Sequence, residues 1–312
     1  MLNWLVVGIG DIATKRVIPA IETEPRSRLC GVVSRDVAKG ARYSERVWDR
    51  LDEALRDREI DAVYVATPVA LHAPQTMAAL RAGKHVLCEK PMAMNYAEAC
   101  EMVRAAEECG KIYGVAYYRR MYPKVQRAKE LLHAGAIGRP VLAEANNHYW
   151  FNGEDGNGAW RLDPALAGGG PLYDIASHRI DLFNYLFGKP ARVAAQLGNV
   201  VHRNPVEDSA TVMIEYESGV RGVVDVRWHS RVARDQFRVI GTDGELNLDP
   251  LNGPLLIAPG GREELPCHKN LHYGCVENFV GAVLDGGRLE ASGASSLWTD
   301  WVTERAIESN RI

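Results

Sequence analysis

Two stretches of the chain set proton-carrying side chains beside proline or glycine punctuation. The first is Lys84-His85-Val86-Leu87-Cys88-Glu89-Lys90-Pro91, an apolar run ending on a carboxylate, an ammonium and a proline. Apolar runs of this length, bounded by polar residues, read as buried parallel strands. Proline stops the ladder, so Glu89 and Lys90 are expected at the strand's carboxyl end, where open α/β sheets bind ligands. A lysine held there, partly desolvated, can hydrogen-bond a substrate oxygen and help move its proton. On the octapeptide alone, a solvated Lys–Glu pair is an equal reading. The second stretch is Gly168-Gly169-Gly170-Pro171-Leu172-Tyr173-Asp174-Ile175-Ala176-Ser177-His178. Three glycines allow close backbone approach, and the helix that follows carries Asp174 and His178 four apart, one above the other. Asp174 can there bias His178, a group that titrates near neutrality and suits acid/base work on a carbinol or carbonyl. A capping Asp and a packed His would leave the same trace. Asp181, on the next turn, is expected on another face.

These residues need elements to position them. Leu2–Val7 reads as a strand, followed at once by Gly8-Ile9-Gly10-Asp11-Ile12-Ala13, a G-x-G-x-x-A motif opening a helix to about Thr23. The first glycine permits the tight turn, the second lets a pyrophosphate approach the backbone, and Ala13 still allows close helix–strand packing. The helix amino terminus, from Asp11 and Ile12, would meet the pyrophosphate. The motif alone is weak; its place between strand and helix strengthens it. A second strand, Arg28–Val33, runs out into Ser34-Arg35-Asp36 with Lys39 following. Ser34 and Arg35 at the discriminating position favour a 2′-phosphate, hence NADP(H), while Asp36 keeps NAD(H) open. Either residue can instead cap the next helix.

Helix and strand then alternate: helix 52–58, strand 62–66, helix 71–82, strand 85–88, helix 96–109 and strand 112–116. This is the rhythm of a doubly wound parallel sheet. Thr67-Pro68 and His72 follow a strand end and can line the cofactor crevice; His72 reads equally as a helix cap. After Tyr117-Tyr118-Arg119-Arg120 the pattern changes to a helix, 124–134, and then strands at 141–151, 191–201, 209–217, 220–229, 236–240 and 246–248. Ser218-Gly219 and Asp243-Gly244 read as hairpin turns. The expectation is two domains, 1–119 and 120–312, the second an α/β domain with a large, open, mostly antiparallel sheet. Helices on one face leave the other to meet a second subunit. Period-two alternation puts Glu144, Asn146 and His148 on one strand face, and some of these with Tyr149 are expected to touch substrate.

Composition bounds the class. At 312 residues, 46% hydrophobic, 25% charged and net charge −3, the chain gives no electrostatic reason to expect nucleic acid or an anionic membrane as partner. Met1–Gly10 lacks the basic region of a signal peptide, and no run approaches a membrane span, so the expected location is the cytoplasm. Six cysteines form no disulfide framework. Cys267, His268, His272 and Cys275 do not match zinc spacings, and no metal is expected.

With these residues in place, the chain resembles the glucose–fructose oxidoreductase, inositol dehydrogenase and MocA (Gfo/Idh/MocA) family over nearly its whole length. The resemblance rests on Gly8 to Ala13, Ala66-Thr67-Pro68 with His72, Ala82 to Pro91, Ala136-Ile137-Gly138-Arg139-Pro140, Trp160-Arg161-Leu162, and Gly168 to His178 with Ile180-Asp181-Leu182. Within the family it looks most like bacterial sugar reductases of the anhydrofructose reductase type. The resemblance implies a Rossmann domain followed by an α/β domain whose open sheet builds homodimers or homotetramers. It also implies that Lys90 binds the reacting oxygen, His178 is the general acid/base and Asp174 tunes it. Glu89 would lie with Lys90 at the cofactor, and Trp160 and Arg161 would reach its nicotinamide end. Tyr118 stands where many members carry Asn, which bears on substrate shape, and Ala176 where Gly is frequent. The sequence stops at Ile312, soon after Ser309, where relatives usually continue through a last strand, which leaves the edge of the sheet and the oligomer open.

The function expected is an NADP(H)-dependent dehydrogenase or reductase of a sugar, polyol or related small hydroxy-carbonyl compound. Three alternatives stand beside it: a glycosidase using a nicotinamide cofactor without net redox change, a dihydrodiol-type dehydrogenase, and a non-catalytic NADPH sensor. Retention of both Lys90 and His178 ranks the sensor last.

Overall fold

The computed structural model describes residues 1–153 and 156–310; Ile312, where the course of the sheet edge was left open, lies outside them. The chain forms two compact units, Met1–Tyr118 with His268–Leu297, and Arg119–Cys267 with Trp298–Ile312.

In chain order the first unit runs β1 (Leu2–Val7), a π-helical turn (Ala13–Val17) leading into α1 (Ile18–Thr23), β2 (Ser27–Val33), α2 (Val37–Gly40), β3 (Val47–Trp48), α3 (Leu51–Ala54), β4 (Ala62–Val65), α4 (His72–Arg81), β5 (His85–Cys88), α5 (Tyr96–Glu108) and β6 (Tyr113–Val115). The six strands form one sheet in the order β3-β2-β1-β4-β5-β6, every neighbouring pair parallel. All four β4 residues are buried, which is why the central strands read as unbroken apolar runs. The expected helix at 52–58 is a single turn, α3; the chain beyond it is drawn into other contacts, the Asp57 carbonyl accepting the Lys84 ammonium at 2.7 Å.

The second unit contains α6 (Pro123–His133), β7 (Pro140–Trp150), α7 (Pro164–Ala167), a π-helical turn (Leu172–Ala176) leading into α8 (Ser177–Phe187), β8 (Pro190–Gly198), β9 (Ser209–Tyr216), β10 (Arg221–Arg227), β11 (His229–Gly241), β12 (Glu245–Asn247), β13 (Leu255–Ala258) and β14 (Gly261–Glu264). Its eight strands are ordered β14-β13-β12-β11-β7-β10-β9-β8. The β7–β10 pair is parallel and the other pairs are antiparallel. Ser218-Gly219 and Asp243-Gly244 turn the chain between β9 and β10 and between β11 and β12, as expected. One face buries Ala143, Ala145, Val224, Val226 and Phe237, with the Phe183 ring of α8 tilted against Phe237 at 5.3 Å. Side chains of the other face, Met213 among them, are half-buried or exposed.

The domain expectation needs one correction. Residues 268–297 rejoin the first unit through α9 (Tyr273–Asp285), before α10 (Gly293–Ser309) begins. The reason is packing: Val276, Phe279 and Val280 are fully buried, and the Phe279 ring lies 5.2 Å from Trp4 in β1. Beyond α9, Ala291 gives its carbonyl to the Val115 N–H in β6. No helix among the described residues is long and apolar enough to cross a membrane.

Candidate active site and cofactor cradle

In the first unit the glycine motif forms the turn its spacing demands. Gly8 sits at φ +91, and a Cβ there would lie 2.8 Å from Thr67 Cγ2 and 2.9 Å from the Ala66 carbonyl. A Cβ on Gly10 would meet nothing within 4 Å, so the backbone there is open to a ligand's approach. Asp11 pairs with Lys15 at 2.7 Å on the exposed side of the helix start. The tight turn, the open Gly10 and the helix amino terminus fit a dinucleotide pyrophosphate.

At the end of β2 the candidates divide. Ser34 donates its hydroxyl to the Asp36 carbonyl at 2.8 Å, so its one proton is spent within the turn. Asp36 caps α2, accepting the Lys39 N–H at 2.9 Å. Arg35 is exposed at the same turn and Lys39 is half-buried.

The loops after β4 and β5 are tied together by His72. Its Nδ1 lies 2.8 Å from the Pro91 carbonyl and its Nε2 2.9 Å from the Thr67 carbonyl, with the ring 1% exposed. Burial holds its pKa below the usual histidine value. His72 opens α4, whose amino-terminal cap is Leu71, so its ring bridges the two loops rather than capping that helix. Thr67 donates to Gln75 Oε1 at 2.8 Å. Pro68 precedes the short turn into α4.

Glu89 is buried beside Lys90. Its Oε1 accepts the Tyr64 hydroxyl at 2.8 Å and His272 Nε2–H at 3.1 Å, and its Oε2 accepts the Lys90 peptide N–H at 3.2 Å. Burial pushes the carboxyl pKa up, but His272, Tyr64 and Lys90 outweigh it and leave the group below the ordinary range. Tyr64 is driven well above its usual value by burial and by the Glu89 charge. The Tyr118 ring lies 4.5 Å from the His272 ring, tilted by 33°. The sequence reading missed Tyr64 and weighed His272 as a metal ligand. His272 is committed to Glu89, and His268 holds its own turn through Asn270. Among the described residues no group of three His, Cys, Asp or Glu side chains could hold a metal ion.

In the second unit Asp174 and His178 sit where the glycine run turns into α8. The first turn is π-helical rather than α, so the expected one-above-the-other stacking of residues four apart is relaxed at Asp174. Single π turns recur at functional sites, and here one opens each of the two motif-bearing helices. Asp174 Oδ2 accepts the Tyr149 hydroxyl at 3.5 Å, and its Oδ1 lies 3.9 Å from Arg161 Nε. Burial, with the Asp174 charge, pushes the Tyr149 phenol above its usual pKa. His178 is 5% exposed. Glu207 fixes the run from outside, accepting the N–H groups of Gly170 at 2.9 Å and Leu172 at 3.0 Å. Nothing in its local sequence marked it. Trp160 and Arg161 share a 3₁₀ turn, with the Arg161 guanidinium 5.7 Å from the Phe151 ring.

The strand bearing His148 and Tyr149 separates them. Consecutive strand residues face opposite ways. Tyr149 reaches Asp174, whereas His148 turns to the open face and holds Asp225 Oδ2 at 2.7 Å. The two substrate candidates thus lie on opposite faces of the sheet, Tyr149 on the face of Asp174 and His148 on that of Asp225. Asp181, as expected, points elsewhere: it forms a fully buried bidentate pair with Arg120.

Comparison with known proteins agrees with this geometry. Residues 2–117 match the model of an oxidoreductase family with an NAD-binding Rossmann fold, and residues 125–247 match the GFO/IDH/MocA C-terminal domain. The chain is 30% identical to a 1,5-anhydro-D-fructose reductase of Ensifer adhaerens, across 96% of this chain and 93% of that one. Among solved structures, an aldose–aldose oxidoreductase of Caulobacter crescentus complexed with glycerol superposes at TM-score 0.88 with 29% identity, covering 99% of this chain and 97% of that one. GenD2 from gentamicin A biosynthesis, in complex with NAD, does so at 0.85 with 28% identity, covering 99% and 94%. The chain belongs to the GFO/IDH/MocA family and is an oxidoreductase, a dehydrogenase or reductase built on a nicotinamide-dinucleotide-binding Rossmann unit.

Proposed function

We propose that the protein is an NADP(H)-dependent reductase or dehydrogenase of a sugar, polyol or related small hydroxy-carbonyl compound. The observation that carries the reading is the place of Lys90: it follows β5 at the carboxyl edge of the Rossmann sheet, in the same unit as the open Gly8–Gly10 turn. The relatives' names, an anhydro-sugar reductase and an aldose–aldose oxidoreductase, supply the substrate class. The nicotinamide, when bound, supplies hydride chemistry. Lys90 holds the reacting oxygen, His178 gives or takes its proton, and Asp174 orients His178. Tyr118 and Tyr149 contact the substrate, and Trp160 and Arg161 contact the cofactor.

Preference for NADP(H) rests on Arg35. With Asp36 occupied at the α2 cap and Ser34 bound to the Asp36 carbonyl, Arg35 is the group at this turn suited to a 2′-phosphate. The test follows nicotinamide absorbance with NADPH and NADH over 1,5-anhydro-D-fructose, aldoses, polyols, levoglucosan and dihydrodiols. The expected result is turnover of a sugar with NADPH. In Arg35→Ala the KM for NADPH should rise about 10- to 100-fold, the loss of one charge-assisted hydrogen bond, with the KM for NADH nearly unchanged. A preference for NADH in the parent protein refutes the cofactor assignment. Silence over the whole panel refutes the function and brings chromogenic glycosides next.

The open face of the eight-stranded sheet, which exposes Met213, is the surface through which the chain pairs with copies of itself. Light scattering should give a mass two or four times the 34.5 kDa of one chain; a single-chain mass at micromolar concentration overturns it.

A further inference from the structure

The buried cluster behind Lys90 is larger than the proposed chemistry uses. Glu89 is 7% exposed and His272 2% exposed, yet they meet through Glu89 Oε1 and His272 Nε2 at 3.1 Å. Their contact spans 183 residues of sequence and exists because α9 returns to the first unit with His272 at its amino-terminal end. His272 is held in turn, its peptide N–H donating to Asn270 Oδ1 at 3.0 Å.

We propose that His272 is a positioning residue for Lys90: with the Tyr64 hydroxyl it holds the Glu89 carboxylate as the anion that grips the Lys90 peptide N–H. The inference rests on the role given to Lys90 above. An ionised carboxylate accepts four hydrogen bonds and donates none, so it can take Tyr64 and His272 on one oxygen and the Lys90 N–H on the other. A protonated carboxyl in so closed a space would turn a donor toward one of these donors and release it. The charge next to Lys90 and the position of its backbone are thus set by one group, and that group is kept ionised from α9 and β4.

The ionisable groups facing Glu89 are Tyr64 from β4, His272 from α9, His72 from α4 and the adjacent Lys90. Cys88 and Cys275 are further ionisable neighbours of Tyr64. Burial favours the neutral carboxyl, and the His272 hydrogen bond is the largest influence opposing it. The sign follows: without His272 the Glu89 pKa rises, and the anion is lost at higher pH than in the parent protein.

The experiment compares His272→Phe, which keeps a ring and removes the donor, with His272→Gln, which restores a donor near Nε2. Tyr64→Phe provides a second, milder removal should His272→Phe not fold. The Glu89 carboxyl is followed by 13C NMR of glutamate-labelled protein, with Glu89→Gln giving the assignment. The acid limb of kcat is followed with NADPH and 1,5-anhydro-D-fructose. His272→Phe should move both the carboxyl titration and the acid limb upward by about 1–3 pH units, with His272→Gln returning most of the shift. An unmoved carboxyl titration overturns the proposal. So does a moved titration with an unmoved acid limb, since Glu89 would then not act on Lys90. A parent protein that turns over nothing refutes the reductase reading instead, and the carboxyl titration still decides whether His272 ionises Glu89.

Discussion

Asp181→Ala is expected to cost about 3–5 kcal/mol of stability, because it leaves a guanidinium buried without its counter-charge. Arg120 and Asp181 are each 1% exposed, and their two hydrogen bonds, 2.9 Å from Nε and 2.6 Å from Nη2, are of the bidentate kind. Thr299 Oγ1 lies 3.5 Å from the same carboxylate, and the Arg120 guanidinium lies 5.2 Å from the Tyr185 ring. Arg120, Asp181 and Thr299 are each 1% exposed, so little solvent reaches the guanidinium to replace the lost charge. Asp181 also lies on α8 one turn beyond His178, so the pair anchors the helix that carries the proposed acid/base. Urea denaturation followed by circular dichroism measures the effect. The double variant Arg120→Met/Asp181→Leu should recover much of the loss, since removing both charges removes the uncompensated burial as well. A loss below about 1 kcal/mol in Asp181→Ala, the level of an exposed pair, would show that the carboxylate is not paired as described.

The parts of this fold that showed in the sequence are those where burial imposes a pattern. The central parallel strands are covered on both faces, so 62–65 and 85–88 read as unbroken apolar runs, and the proline after Lys90 marked where β5 stops. Strands with one open face alternate, which exposed β7, β9 and β10. Local signals failed where the decisive partner is remote in sequence. Nothing in the sequence around α9 says that its partner is Trp4 in β1. The same return brings His272 to Glu89, so that pair was invisible to any reading in chain order. Residues 231–234 of β11 are extended yet exposed at every position, with a register shift against β7, so no alternation marked them and this strand seemed to begin only at Gln236. The edge pair β13 and β14 is too short to alternate convincingly, and β3 is two residues long. At the site, residue types were legible and directions were not. Tyr149 and His148 were read together, and pleating sends one to Asp174 and the other to Asp225. Spacing suggested a regular α-helical pair for Asp174 and His178, and a π turn intervenes.

Lys90→Met and His178→Ala are each expected to lower kcat by about 10²- to 10⁴-fold, the range for losing a positioned proton donor or oxyanion-binding group. The cofactor should still bind with nearly its original affinity, because the Gly8–Gly10 turn is untouched. Methionine keeps the length and apolar stem of Lys90, so the Glu89 hydrogen bond to the residue-90 N–H persists and the change is confined to the ammonium. If both side chains serve the same reacting oxygen, their losses do not add: the double variant should fall little below the worse single one. The pH profile separates their roles, since a rate limb belonging to the imidazole disappears in His178→Ala and stays in Lys90→Met. Fluorescence titration with NADPH and steady-state rates on 1,5-anhydro-D-fructose give both quantities. Undiminished kcat in Lys90→Met would remove Lys90 from the reaction. Additive losses in the double variant would mean that the two groups act in separate steps, with the proton of the reacting oxygen passing to a different residue.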